Sequence, residues 1–197
     1  MEKGIYLVII ALMFVSCNDI FLSEKRGVEI PFRFENKSSK AIFQKNDLVY
    51  LNQNAYSGFL FELHPNAEDT LAVEGYLFGR LHGISQKWYP NGQLAEQRYY
   101  HHGEKQGKQI AFYENGQKMF SYTAEKDMYV GKMYEWASDG QLIHLATYVN
   151  GQESGTQKMW YDNGKIKANY TIINGRRYGL LGTKNCKNVS DSIFTSL

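Results

Sequence analysis

Residues 83–106 read GISQKWYPNGQLAEQRYYHHGEKQ, and the pattern of this 24-residue stretch recurs along the chain. Its first glycine returns every 24 residues, at Gly83, Gly107, Gly131, Gly155 and Gly179. A second glycine follows nine residues later in each unit, at Gly92, Gly116, Gly140 and Gly164. Periods of this length are typical of stacked units, none of which buries its apolar face alone. The chain is therefore predicted to be a repeat protein.

The second glycine of each unit belongs to a turn signal. It follows asparagine or aspartate, in pairs that adopt positive φ at low cost, at Asn91, Asn115, Asp139 and Asn163. β-prone residues flank each pair, so each unit is predicted to be a β-hairpin. A second reversal follows, with glycine at Gly103, Gly151 and Gly175 and with Asp127 in that place in the second unit. We expect an all-β fold, an elongated antiparallel meander of 24-residue hairpin repeats.

An aromatic residue precedes the turn in every unit, at Trp88, Phe112, Trp136 and Trp160. Alternation along the strands places Ile84, Ile110 and Tyr134 on the same face, so these side chains are expected to form a ladder. Aromatic faces can stack on sugar rings, but a thin array needs its aromatic residues first for its core. The structural interpretation is favoured, and Trp136 and Trp160 are kept as candidate binding residues.

Two other classes of repeat fit the sequence less well. A leucine-rich repeat needs leucine at several fixed places, whereas residues 131–155 offer only Leu142 and Leu145. Helical repeats would carry two or three glycines per 24 residues, each costing about 1 kcal/mol in a helix interior.

The stretch from Gly83 to Leu94 resembles the MORN repeat variant of bacterial proteins that are often grouped as YwqK-like antitoxins. The resemblance covers Gly83 to Gly179 and extends more weakly back to Asp47, where residues 64–67 replace the Asn-Gly turn. It implies an elongated hairpin array, here residues 47–182, that binds proteins or lipids. It carries over no catalytic residue.

The first 17 residues have the pattern of a bacterial lipoprotein signal. An apolar run from Ile5 to Val15 is short for a membrane span, and Cys17 after Ser16 is the predicted site of lipidation. An ordinary cleaved signal or an uncleaved anchor are the alternatives. Residues 18–46 are interpreted as a tether, with Ile30 to Phe34 as a candidate edge strand because Pro31 restricts pairing. Residues 183–197 are interpreted as a cap and tail.

The net charge of +2 hides a difference between the two ends of the array. Residues 46–79 contain five carboxylates and neither lysine nor arginine, whereas residues 156–187 contain seven basic residues and one aspartate. In a linear array these segments lie at opposite ends, where their fields can steer a partner. The candidate docking residues are Lys165, Lys167, Arg176 and Arg177. The alternative, which we favour, is a solvated strand surface.

Catalytic and metal chemistry find little support in the sequence. Cys186 lacks a partner once Cys17 is lipidated, and the histidines lie in other repeats, which disfavours a catalytic thiol. His101, His102 and Glu104 suggest a metal site, but neighbouring strand residues face opposite ways and a third ligand is not evident, so a polar turn is favoured. The glycines belong to turns and form no phosphate loop. We therefore expect no enzyme, metal, cofactor or nucleic-acid partner.

These observations favour a non-enzymatic lipoprotein of the bacterial cell envelope whose array binds a protein partner. The first alternative is an immunity or antitoxin-type protein that blocks a toxin, as the resemblance implies. The second is binding of anionic lipid or envelope glycan through the basic end or the aromatic ladder.

Overall fold

The computed structural model describes residues 29–66 and 68–182, which contain sixteen strands and no helix. The predicted all-β hairpin array is confirmed. The strands are β1 (Phe34–Asn36), β2 (Ile42–Lys45), β3 (Leu48–Leu51), β4 (Asn54–Ala55), β5 (Gly58–Leu63), β6 (Thr70–Leu77), β7 (Arg80–Trp88), β8 (Leu94–His101), β9 (Glu104–Lys105), β10 (Gly107–Phe112), β11 (Lys118–Glu125), β12 (Met128–Trp136), β13 (Leu142–Val149), β14 (Gln152–Trp160), β15 (Ile166–Ile173) and β16 (Arg176–Leu180).

Most strands form one large sheet in which sequence neighbours are also spatial neighbours. Its order is β1-β5-β6-β7-β8-β10-β11-β12-β13-β14-β15-β16, with the two-residue β9 paired to β8. At about 4.8 Å per strand this path extends about 50 Å. The acidic strands β5 and β6 therefore lie near one end of the sheet and the basic strands β15 and β16 at the other.

The beginning of the array differs from the expectation. Residues 42–55 form a separate three-stranded sheet, β2-β3-β4, rather than the first hairpin of the array. β1 lies at the edge of the large sheet and pairs with β5 in parallel, whereas the other paired strands of that sheet are antiparallel. Of the predicted edge strand at residues 30–34, only Phe34 belongs to a strand, because β1 begins there. The described part of the expected tether also contains β2, the first strand of the second sheet.

The two kinds of reversal have different geometries. At the first, the Gly92 N–H donates to the Tyr89 carbonyl at 2.9 Å, and φ is 79° at Gly92 but negative at Asn91. This is a type I turn followed by a left-handed glycine. At the second, both turn residues have positive φ, 49° at Asn150 and 78° at Gly151, which is the type I′ pattern. The four glycines Gly92, Gly116, Gly140 and Gly164 have φ between 76° and 87°.

The core lies on one face of the large sheet, which we call the tyrosine face. Strand register places five tyrosines on it, from two positions of the repeat: Tyr76, Tyr100 and Tyr148 from one, and Tyr122 and Tyr170 from the other. Tyr122 packs there with Ala124, Met133 and Ala146 as a buried cluster. At the amino-terminal end, side chains of the small sheet pack against Tyr76, so the small sheet covers this part of the face.

The expected aromatic ladder does not form the core. Trp88, Phe112, Trp136 and Trp160 are half-buried at strand ends, each beside a register shift. Of the isoleucines on the same face, Ile84 is 42% exposed, whereas Ile110 is buried. We call this opposite face the tryptophan face. The repeat-related residues buried deepest stand on the tyrosine face, at Ser85, Gln109, Met133 and Gln157. Apart from Ile110, the large apolar residues therefore indicated the wrong face.

Candidate functional site

The four basic residues predicted to dock a partner are all exposed, but they do not form one patch. Lys165 and Lys167 lie at the start of β15, and Arg176 and Arg177 lie beyond its end. β15 has eight residues and therefore separates the two pairs by about 23 Å. Register places Arg177 on the tyrosine face, opposite Ile172, and Lys167 on the tryptophan face. The structure thus divides the predicted patch between two strand ends and two faces.

Individual contacts hold two of these basic side chains. The Arg177 guanidinium donates to Glu153 Oε2 at 3.3 Å and lies 5.4 Å from the centroid of the Tyr170 ring. The Lys167 ammonium lies 5.8 Å from the Tyr161 ring centroid. Both groups are therefore partly engaged within the chain.

The predicted tryptophan residues lie apart from each other in successive units. Trp136 stacks on Tyr134 with ring centroids 5.6 Å apart, and the Lys118 ammonium lies 5.8 Å from its ring. Trp160 ends β14 and pairs with Ile166 across the turn. Both are half-buried, so they offer small aromatic edges rather than a continuous platform.

A cluster of polar and aromatic contacts lies on the tyrosine face around Arg98. Its guanidinium donates to the Tyr122 hydroxyl at 2.7 Å and to Glu96 Oε2 at 3.0 Å. It also lies 4.8 Å from the Phe120 ring centroid. The side chain of Arg98 is thereby fixed by a carboxylate, a phenol and an aromatic ring at once.

The charges of this pair remain stable around neutral pH. Burial acts to raise the pKa of Glu96, but the hydrogen bond and the charge of Arg98 outweigh it, and the pKa of Glu96 is lowered. Burial acts to lower the pKa of Arg98, and Glu96 reverses this so that the pKa of Arg98 is raised. Both groups are therefore ionised in the pH range of a cell.

Tyrosine rings continue the cluster across the next strands. Tyr129 lies 4.5 Å from Tyr122 and 5.0 Å from Tyr148, centroid to centroid. Burial raises the pKa of Tyr129 and of Tyr148, so both phenols keep their protons and can donate hydrogen bonds. Tyr129 is 37% exposed, which makes it the accessible member of the row.

A cavity of about 330 Å³ opens beside these rings. It is lined by Arg98, Lys105, Phe120, Tyr122, Tyr129, Met133 and Glu135. It therefore combines an apolar floor with both signs of charge at its rim. None of its lining residues was among the predicted site residues, because their clustering depends on the register of β8, β10, β11 and β12.

Two buried glutamines support this face and were also missed. Gln109 and Gln157 are 0% and 1% exposed, and their side-chain amides donate to the carbonyls of Tyr99 and Thr147 at 3.0 and 2.9 Å. The Oε1 atoms of both glutamines are buried without a hydrogen-bond partner among the described residues. A glutamine two residues after the first glycine of the unit was the available signal.

The histidine pair noted in the sequence gains a third imidazole in the structure. His82 lies on β7 and His101 ends the adjacent β8, with their ring centroids 5.1 Å apart, and His102 is the first residue of the following type I′ turn, with φ of 51°. Burial and the two neighbouring histidines lower the pKa of His82. Glu104, the other residue considered with the pair, lies across the turn from His101.

The predicted lipidation site Cys17 and the lone Cys186 lie outside the described residues. Within residues 29–66 and 68–182, no helix is long and apolar enough to cross a membrane.

Comparisons with known proteins identify the repeat. No curated protein matches the chain. Among solved structures, a mutant of S. aureus TarM in complex with Fondaparinux, alpha-GlcNAc-glycerol and UDP aligns with 13% identity and a TM-score of 0.30, over 50% of this chain and 20% of that chain. Similarity this low indicates nothing about the present chain. Residues 81–102 and 153–174 match the MORN repeat variant family, so this hairpin array contains MORN repeat variant units.

Proposed function

We propose that the array is a non-enzymatic scaffold that binds a protein partner through the tyrosine face, at the cavity beside Arg98. MORN repeats are generally involved in binding proteins or membrane lipids. The observation that supports the protein alternative is the Arg98 cluster, in which a fixed guanidinium and several tyrosines border an open cavity. Arginine and tyrosine dominate the residues that contribute most to protein–protein binding.

The cluster is well prepared for this role. The contacts of Arg98 with Glu96, Phe120 and Tyr122 already restrict its rotamers, so little further entropy is lost on binding. Tyr129 offers a rigid ring with a protonated hydroxyl at the cavity edge. An apolar side chain of a partner could enter the cavity while its backbone accepts hydrogen bonds from these donors.

Variants at exposed tyrosines test the assignment. Tyr129→Ala removes an accessible ring of the cavity and is expected to weaken partner capture about tenfold or more. Tyr178→Ala is the matched control, because Tyr178 is 54% exposed and its register places it on the opposite face. Equal capture by both variants would contradict a site on the tyrosine face.

Photo-crosslinking identifies the class of partner. A photoreactive residue is placed at position 129, or at the exposed Lys132 on the opposite face, in the full-length chain expressed in its own cells. A protein adduct specific to position 129 supports the proposal. A toxin as the adduct would establish the immunity alternative, and adducts to lipid or glycan alone would replace the protein assignment.

We further propose that Cys17 anchors the chain in the cell envelope. The support is the sequence pattern, in which a cysteine follows a short apolar run. Labelled palmitate is expected to enter the wild-type chain but not Cys17→Ala. Equal labelling of the two proteins would exclude this anchor.

Binding of anionic lipid by the basic end is the second candidate. The exposure of Lys165, Lys167, Arg176 and Arg177 at the end of the sheet favours it, although their separation weakens a single docking patch. Replacement of all four by glutamate should reduce binding to anionic liposomes several-fold at about 0.1 M salt, without loss of folding. If the unmodified array binds anionic and neutral liposomes equally, this candidate is wrong.

A further inference from the structure

Three imidazoles converge at the turn between β8 and β9. His82, His101 and His102 each present a ring nitrogen, and these three nitrogens lie within 4.8 Å of one another. Ring centroids are 5.1 Å apart for His82 and His101, and 4.5 Å for His101 and His102. His82 is half-buried, and the other two are exposed.

The fold does not require histidine at these three places. Two repeats later the turn has the same geometry, with one half-buried and two exposed side chains at the corresponding places, but these residues are Val130, Val149 and Asn150. One repeat later they are Gln106, Glu125 and Lys126. Three of the five histidines in the chain therefore occupy one turn of one repeat, where the other units use unrelated residues.

We propose that His82, His101 and His102 form a binding site for a divalent transition-metal ion of the zinc, nickel and copper class. Imidazole nitrogen is a preferred ligand of these ions, whereas magnesium and calcium prefer oxygen. Three protein ligands leave a fourth position of a tetrahedral ion for water or for a group from a partner. The site is independent of the cavity beside Arg98.

A small adjustment of side chains would complete the geometry. With zinc–nitrogen bonds of about 2.0–2.1 Å, neighbouring ligand nitrogens of a tetrahedral site stand about 3.3 Å apart. The present limit of 4.8 Å therefore requires a contraction of about 1.5 Å at most, measured against that tetrahedral spacing. The exposed rings of His101 and His102 can supply it by rotation about their side-chain bonds, since no core packing fixes them.

Two local groups oppose the ion weakly. The His102 backbone N–H donates to His82 Nδ1 at 3.3 Å, a long hydrogen bond that His82 would give up if Nδ1 bound the metal or carried the proton. The guanidinium of Arg80 lies beside Gly103 of the same turn, and its positive charge repels a cation. Arg80 is exposed, and solvent screens its charge.

Metal titration of matched proteins tests the site. The full-length chain, purified in detergent without a polyhistidine tag, is titrated with Zn²⁺ against a chromophoric chelator. The comparison variant combines His82→Val, His101→Val and His102→Asn, which copies the third unit and keeps both cysteines and the turn. The wild-type chain is expected to bind one Zn²⁺ about a hundredfold or more tightly than this variant.

Single substitutions separate the site from general metal binding. His101→Val alone should cost about tenfold or more in Zn²⁺ affinity, because it removes one ligand. His144→Asn should leave affinity unchanged, since His144 lies on the tyrosine face beside Glu135. Equal Zn²⁺ affinity of the wild-type chain and the triple variant, with identical circular dichroism spectra, would overturn the proposal. Equal loss from His144→Asn and His101→Val would also overturn it.

Discussion

Successive repeats are linked to each other at the edge of the sheet where the type I turns with Gly92, Gly116, Gly140 and Gly164 lie. These links differ along the array. Each of the first two junctions contains two side-chain hydrogen bonds to the next unit. At the first junction, Tyr89 Oη donates to the Phe112 carbonyl at 2.9 Å and Asn91 Nδ2 donates to the Glu114 carbonyl at 3.2 Å. At the second, Tyr113 Oη donates to the Trp136 carbonyl at 2.9 Å and Asn115 Nδ2 donates to the Ser138 carbonyl at 2.7 Å. Tyrosine and asparagine of one unit thus hold the turn of the next.

The third junction lacks both donors. Ala137 stands in the place of the tyrosine and has no hydroxyl, and Asp139 stands in the place of the asparagine and has no amide. A different bond links the units here, from Gln141 Nε2 to the Tyr161 carbonyl at 3.0 Å. Because each repeat contacts only its neighbours, the stability of the array is a sum of unit and interface terms. The last unit should therefore open more readily than the first three.

The largest expected effect comes from a substitution that breaks a turn at a well-linked junction. Gly116 has φ of 85°, so Gly116→Val places a β-branched residue in a strained conformation and should cost about 1–3 kcal/mol. The new Cβ would also stand 3.3 Å from Gln93 Oε1, which can move aside. Urea melts of the chain without residues 1–17 measure the cost.

The neighbouring residue provides the control for this turn. Gln117 is exposed and follows the turn, so Gln117→Val should change the urea midpoint little. Equal midpoints for Gly116→Val and Gln117→Val would mean that positive φ at residue 116 is not required.

A smaller effect is expected from removal of one hydroxyl at the second junction. Tyr113→Phe deletes the donor to the Trp136 carbonyl and should destabilise the chain by about 1 kcal/mol. Tyr161→Phe is the matched control, because Tyr161 occupies the same place in the last unit and is 49% exposed. If both variants melt at the same urea concentration, the tyrosine link contributes nothing to the junction.

The sequence revealed the turns of the array but not the face that forms its core. Turn signals are local, so the 24-residue period and the glycines led to the correct hairpin array. The core face was assigned incorrectly because tryptophan and isoleucine were expected to be buried in preference to tyrosine, alanine and glutamine. In a single-layer sheet, Ala124, Ala146 and Gln109 are buried by their neighbours although they are small or polar.

Contacts across strands depended on register and were therefore beyond local patterns. His82 lies 19 residues before His101 in the chain, and only the pairing of β7 with β8 brings their rings together. Conversely, Lys165 and Arg176 are close in sequence, yet a whole strand lies between them. The tyrosine and asparagine links between turns likewise join residues 23 positions apart.

A nearly isosteric test of the asparagine link copies the aspartate of the third junction into the second. Asn115→Asp keeps the oxygen that accepts from the Gln117 N–H but loses the amide that donates to Ser138. We expect a destabilisation of about 0.5–1 kcal/mol, less than for a buried bond because Asn115 is exposed. Asn163→Asp in the last unit is the control. An equal shift in both variants would indicate the effect of an added charge instead of a lost link.

The smallest expected effect is a gain of stability, and it tests the comparison in the opposite direction. Ala137→Tyr with Asp139→Asn gives the third junction both donors of the first two, aimed at the carbonyls of Trp160 and Asp162. The two new hydrogen bonds are exposed, and the entropy lost in ordering the tyrosine side chain offsets part of their contribution. The net gain in the free energy of unfolding should be about 0.5 kcal/mol. Hydrogen exchange is the sensitive measurement, because slower exchange of β14 and β15 amides, with β7 and β8 unchanged, locates the gain at this interface. Exchange in β14 and β15 could stay unaltered while Tyr113→Phe and Asn115→Asp destabilise the chain. In that case the Gln141 hydrogen bond already stabilises the third junction as much as the missing donors would.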